Sequence, residues 1–125
     1  MKAMVLESVN TALVEREIEL PDPAEDEAIV RIRANGVCAT DVKISEGLGP
    51  KAKLPVVLGH EPAGEVVRCR RTDEVKVGQR VVIHPHIYCG RCQNCIDGME
   101  NICLNIRGSL GMTINGGLAE YAICP

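Results

Sequence analysis

Along this chain, hydrophobic and polar positions alternate with a two-residue rhythm more often than with a helical one. In AIVRIRA, Ala28, Val30, Ile32 and Ala34 alternate with Ile29, Arg31 and Arg33, the pattern of a half-buried strand with one mostly polar face. Short β-rich runs predict further strands at Met4–Leu6, Ala12–Leu20, Glu65–Cys69, Arg80–His84 and Leu118–Ile123. Turn-forming clusters separate them: PDPAED, EGLGPKAK and Lys76-Val77-Gly78-Gln79. Only Ala39–Ser45 and Cys92–Glu100 predict helix, and both are short. Several strands with little helix predict a mainly β fold, a barrel or a sandwich.

Composition narrows this picture. A chain of 125 residues is one domain's worth, and residues 1–125 contain no repeat or linker that would divide it. Apolar residues make up 46%, yet there is no Phe or Trp and only two Tyr, so the core must be built from Val, Ile, Leu and Ala. The formal charge of −3, with acids and bases mixed, argues against a nucleic-acid groove or a polybasic membrane patch. No apolar run approaches the roughly eighteen residues of a membrane span. The opening MKAMVLESVN lacks the apolar stretch of a signal peptide. The expectation is a soluble, cytoplasmic protein whose thiols stay reduced, which favours metal over disulfides for clustered cysteines.

Four of the seven cysteines fall in CGRCQNCIDGMENIC, spaced C-x2-C-x2-C-x7-C. Zn2+ takes four thiolates in a tetrahedron at roughly 2.3 Å, and Cys-x-x-Cys turns aim two sulfurs at one ion. Cys89, Cys92, Cys95 and Cys103 therefore predict a structural zinc lobe. Four thiolates leave no open position for chemistry.

A sparser set of ligand types lies upstream, in Cys38-Ala39-Thr40-Asp41 and in Gly59-His60-Glu61. Cys and His both ligate zinc, and a site with fewer protein ligands keeps a position open for water or substrate. Asp41 could accept a hydrogen bond from the non-ligating nitrogen of His60, and the Thr40 hydroxyl could pass a proton. By spacing alone, a buried Cys and a His satisfied in a turn are the commoner arrangement.

Together these motifs resemble the zinc-dependent medium-chain alcohol and polyol dehydrogenases, specifically their N-terminal GroES-like catalytic domain. Cys38-Ala39-Thr40-Asp41 resembles the family's catalytic-zinc Cys motif, and Gly59-His60-Glu61-Pro62-Ala63-Gly64 its GHE-x-x-G motif. Val77-Gly78-Gln79-Arg80-Val81 resembles its V-G-D-R-V turn, and Gly116-Gly117-Leu118-Ala119-Glu120-Tyr121 its GG-aromatic-AEY strand. The resemblance implies a partly open GroES-like β-barrel over residues 1–125, with short helices and a structural zinc lobe. It implies that Cys38 and His60 ligate a catalytic zinc, that Glu61 is an alternating or outer ligand, and that Asp41 orients His60. Thr40 would hydrogen-bond the substrate alcohol and begin proton removal. Zinc would lower the alcohol's pKa so that hydride can pass to NAD or NADP, giving an aldehyde or ketone.

Departures from the family refine the expectation. Lys43 stands where many members carry a proton-relaying His, and its presence in some sorbitol-dehydrogenase-like members points to a polyol or secondary alcohol. A plain solvated lysine is the alternative. Gln79 and Leu118 replace an Asp and an aromatic, and both are structural changes. His86, in His86-Ile87-Tyr88-Cys89-Gly90, resembles the His beside the substrate pocket of threonine dehydrogenases, while His84 and His86 could also share a strand face as a metal pair. Cys69 and Cys124 are expected core thiols, and Arg68, Arg70 and Arg71 a solvated basic end. No G-x-G-x-x-G turn of a Rossmann domain occurs, and the chain ends at Pro125, before the family's third catalytic ligand. The chain is therefore expected to be the N-terminal part of a longer homo-oligomeric enzyme. It should be incomplete at its C-terminal end and inactive alone. A non-catalytic GroES-like or zinc-stabilised binding module is the alternative.

Overall fold

The computed structural model describes residues 1–70 and 75–125, so Arg71 lies outside the described residues. Strands β1 (Lys2–Leu6), β2 (Val14–Glu17) and β4 (Val56–Val57) form one sheet in the order β2-β1-β4. Strands β3 (Ala28–Gly36), β5 (Glu61–Cys69), β6 (Arg80–Val82) and β9 (Tyr121–Cys124) form a second, ordered β6-β5-β3-β9. A two-residue ladder joins β7 (His86–Ile87) to β8 (Gly108–Ser109). The helices are α1 (Ala39–Ser45) and α2 (Gln93–Ile96), with a 3-10 turn at Glu100–Ile102. No helix among the described residues is long and apolar enough to cross a membrane.

The sheets do not close on themselves, which makes the architecture a partly open barrel. Residues 116–120 hold its two sides together. Gly116 N donates to Val57 O (2.8 Å) and Leu118 N to Leu58 O (3.0 Å). Met4 N then donates to Leu118 O (2.8 Å), while Ile32 N donates to Glu120 O (2.9 Å). One extended segment thus serves β1, β3 and the chain after β4. Gly116 must be glycine for this to work, because a Cβ there would lie 2.0 Å from the Gly59 carbonyl oxygen.

The interior is aliphatic, as the lack of Phe and Trp requires. Leu6, Ile44, Val56 and Leu58 pack as one cluster under α1, and Ala28, Val30, Val66, Ala122 and Cys124 as another between β3, β5 and β9. Cys124 is buried and Cys69 packs partly against the same cluster, so both are core thiols. Arg68 pairs with Asp22 at the surface, and Arg70 is exposed.

Several predicted strand limits shift for identifiable reasons. The β2 ladder covers only four residues, because Leu13 and Ile18 turn inward to separate clusters. The β5 ladder begins earlier than predicted, at Glu61; Pro62 is tolerated next to the strand start, where a missing donor is least costly. The simple alternation in β3 also fails. Ile29 is buried beside Ala28 and Val30, while Ala34 is exposed. Irregularities in the β3–β5 register at Ile29/Val30 and Ile32/Ala34 change which face each residue meets. The predicted Cys92–Glu100 helix is broken into α2 and the 3-10 turn. The two-residue strands β4, β7 and β8 are too short to leave any periodicity.

Candidate metal centres and active site

The β3–β5 pairing brings Gly36 opposite Glu61. Cys38, just beyond β3, and His60, just before β5, consequently meet at one end of the pair. The ligand atoms of Cys38, His60 and Glu61 all lie within 4.8 Å of one another.

Local sequence explains how Cys38 is presented. It is the N-cap of α1, its Sγ accepting from Thr40 N (3.5 Å), while the Asp41 carboxylate accepts from Cys38 N (3.0 Å). This is a capping box with Cys in the usual Ser/Thr place and Asp in the Glu place. The Thr40 hydroxyl oxygen lies 3.6 Å from Cys38 Sγ.

Asp41 does more than the expected orientation of His60. Only 5% exposed, it accepts from His60 Nδ1 (3.2 Å) and from Gly59 N (3.1 Å) with one oxygen, and from Cys38 N with the other. Gly59 sits at φ +91°, a left-handed turn that aims its N–H at this carboxylate. One buried side chain therefore ties the Cys38 loop to the His60 turn. The C-x-x-D spacing carried this signal as a capping box, but the link to Gly59 had no local trace.

The electrostatics are those of a ligand pair. The Thr40 backbone N–H, then its hydroxyl and His60, hold the Cys38 thiol below its ordinary pKa. Burial opposes charge on His60, but the hydrogen bond to Cys38 and the Asp41 carboxylate outweigh it and raise the imidazole above its usual value. Ligation needs thiolate and neutral imidazole, so metal and protons compete for this pair. Lys43, in the last turn of α1, is exposed.

The four lobe thiols form a second cluster, with Sγ–Sγ separations of 3.5 Å (Cys92–Cys95), 3.6 Å (Cys89–Cys103) and 3.9 Å (Cys92–Cys103). A tetrahedron with a roughly 2.3 Å zinc–sulfur radius has edges of about 3.8 Å. These three edges match that spacing, and all four sulfurs lie within 4.8 Å of one another. The thiols are not equivalent: the Arg91 backbone N–H leads the groups lowering Cys89 to about 6, and burial leads those raising Cys95 to about 12. Zinc would displace the protons that remain.

No residue of the lobe belongs to the apolar clusters of the barrel. Cys92→Ser should accordingly abolish tight zinc binding at the lobe while the barrel's far-UV circular dichroism persists. Zinc retained at one equivalent against a chelator, in a reduced preparation of the variant, would contradict the four-thiolate assignment.

His86 lies elsewhere. Its Nδ1 is 2.9 Å from Ser109 Oγ, and with His84, Cys69 and Cys124 it lines a cavity of about 390 Å³ that none of Cys38, His60 and Glu61 lines. The His84 and His86 rings are 6.0 Å apart, and His84 Nδ1 meets the His86 backbone; the pair joins neither metal-type cluster found among the described residues.

A family model, the alcohol dehydrogenase GroES-like domain, matches residues 24–125. The chain belongs to this family, within the zinc-dependent medium-chain dehydrogenases. An alcohol dehydrogenase of Geobacillus stearothermophilus is 41% identical over 129 residues, covering 100% of this chain and 38% of the relative. An L-threonine 3-dehydrogenase of Saccharopolyspora erythraea is 37% identical over 129 residues, covering 100% and 37%. A solved structure of a thermostable alcohol dehydrogenase from Pyrobaculum aerophilum, with cobalt and zinc bound, superposes with a TM-score of 0.87 at 32% identity, covering 100% of this chain and 39% of that one. The chain thus spans well under half the length of these relatives.

Proposed function

We propose that this chain is the GroES-like catalytic portion of a longer, cytoplasmic, zinc-dependent dehydrogenase that oxidises an alcohol or polyol with NAD or NADP. The observation that carries the reading is the convergence of Cys38, His60 and Glu61 donors within 4.8 Å, fastened from behind by buried Asp41. A zinc ion held by Cys38 and His60 would act as a Lewis acid, lowering the pKa of an alcohol so that hydride can pass to a nicotinamide ring. Thr40, its hydroxyl beside Cys38 Sγ, takes the hydroxyl proton of the substrate. Lys43 is exposed one helical turn along α1 and is the candidate to pass that proton to solvent. Glu61 supplies a carboxylate that can approach the metal position when substrate leaves. His86 lies on the wall of the neighbouring cavity of about 390 Å³, where it would contact a more distant part of a substrate.

The cofactor site and the third ligand are assigned to the region that the relatives carry beyond the matched part, because a dinucleotide needs a Gly-rich turn and helix N-terminus that this chain lacks. The test is NAD(P)H absorbance with a panel of alcohols and polyols, run on this chain and on the chain extended to the relatives' length. The extended protein should bind two zinc ions and turn over, whereas the 125-residue chain should hold the lobe zinc and give no alcohol-dependent signal. Turnover by the short chain, or none by a folded long chain with two zinc ions, would overturn the reading.

A further inference from the structure

We infer that Asn35 is a positioning residue for the Cys38/His60 centre, its carboxamide setting the spacing of the two ligand-bearing segments. The inference rests on the dehydrogenase reading only for the identity of the metal.

Asn35 is in β3 opposite Pro62 of β5, one residue before the Gly36–Glu61 pair at the end of the ladder. Its Nδ2 donates to Gly36 O (2.7 Å), the carbonyl that leads the chain through Val37 to Cys38. The same nitrogen lies 2.7 Å from where a Cβ on Gly59 would be, and Oδ1 lies 2.4 Å from the equivalent point on Gly117. The amide therefore fills a slot that only these two glycines leave open. Gly117 N in turn donates to Gly59 O (2.8 Å), so the slot is braced on its far side. One planar group touches the approach to Cys38, the residue before His60, and the segment that ties the two sheets together.

Space filling alone does not account for an amide here. Oδ1 is buried with no hydrogen-bond partner among the described residues, an unfavourable arrangement that an apolar side chain of the same shape would avoid. Turning the amide over would set Oδ1 against the Gly36 carbonyl, oxygen against oxygen, so the orientation follows from that one bond. What the carboxamide adds over leucine is the donor to Gly36 O. That bond fixes the Gly36–Val37 peptide, which leads into Cys38, while the glycine contacts fix how near the His60 turn can come.

The test uses the extended protein with both sites zinc-loaded, and follows zinc release to a competing chelator. The lobe zinc serves as the internal control. Asn35→Leu keeps the shape and removes the donor; Asn35→Ala removes both and supplies the reading if the leucine variant does not fold. The expected result is an unchanged lobe zinc and a Cys38/His60 zinc bound about 10–100-fold more weakly, the range for loss of a group supporting a ligand. For Asn35→Leu the melting temperature should stay close to that of the parent. Parental affinity at the Cys38/His60 site in either folded variant, or equal weakening at both sites, would overturn the inference. A parent protein that binds only the lobe zinc would instead overturn the dehydrogenase reading.

Discussion

Asp41→Ala should destabilise the domain by about 3 kcal/mol or more, a large fraction of what holds a single domain folded. The carboxylate accepts from Cys38 N, Gly59 N and His60 Nδ1, and it is buried. Alanine leaves all three donors without a partner, and each orphaned buried donor costs about 1–3 kcal/mol. Water entering the gap would recover part of this, which sets the expectation near the lower end of the sum. Asp41→Asn should be milder, because its Oδ1 can still serve Gly59 and His60 while its amide nitrogen faces the Cys38 N–H. Urea midpoints for the three proteins check the order. A midpoint for Asp41→Ala equal to the parent's would mean that the Cys38 loop and the His60 turn are held by something else. The same variant should release the Cys38/His60 zinc in the extended protein, since the His60 ring loses the group that fixes its orientation.

Thr40→Val in the extended enzyme carries the largest expected effect on rate. Valine keeps the branched shape and removes the hydroxyl that lies 3.6 Å from Cys38 Sγ. If that hydroxyl receives the substrate proton, turnover should fall by about 10²–10⁴-fold, the usual range for a general acid–base group. Zinc content should hold, because the larger Thr40 contribution to Cys38 Sγ comes from its backbone N–H, which valine retains. Parental turnover with a good substrate would reject this role. Lys43→Ala should change the rate much less, as an exposed lysine is readily replaced by water in passing a proton onward.

How legible a site was in the sequence depended on the distance over which its residues act. The clustering of the lobe thiols could be read from the sequence, because all four lie within fifteen residues, although the helix expected among them is broken. Helix α1 was legible in place, around Ala39–Ser45, while the capping box that fixes its start, Cys38 with Asp41, came to light only in the structure. Strand limits were less so. Alternation in β3 reports burial only while the register is regular, and the breaks at Ile29/Val30 and Ile32/Ala34 reverse it locally.

The residue types for the Cys38/His60 centre were likewise present in the sequence, and family resemblance supplied their pairing. Spacing could not, because Cys38 and His60 belong to different strands' ends and meet only through the β3–β5 ladder. The same holds for the supports behind them. That Asp41 reaches Gly59, that Gly116 admits the Gly59 carbonyl, and that Asn35 lies between Gly59 and Gly117 are facts of close packing between segments far apart in the chain. Periodicity and motif spacing describe what a segment can do with its own neighbours. Which distant backbone then fills the space beside a glycine is settled only when the sheets assemble, because contacts at that range depend on register and on sub-ångström fit.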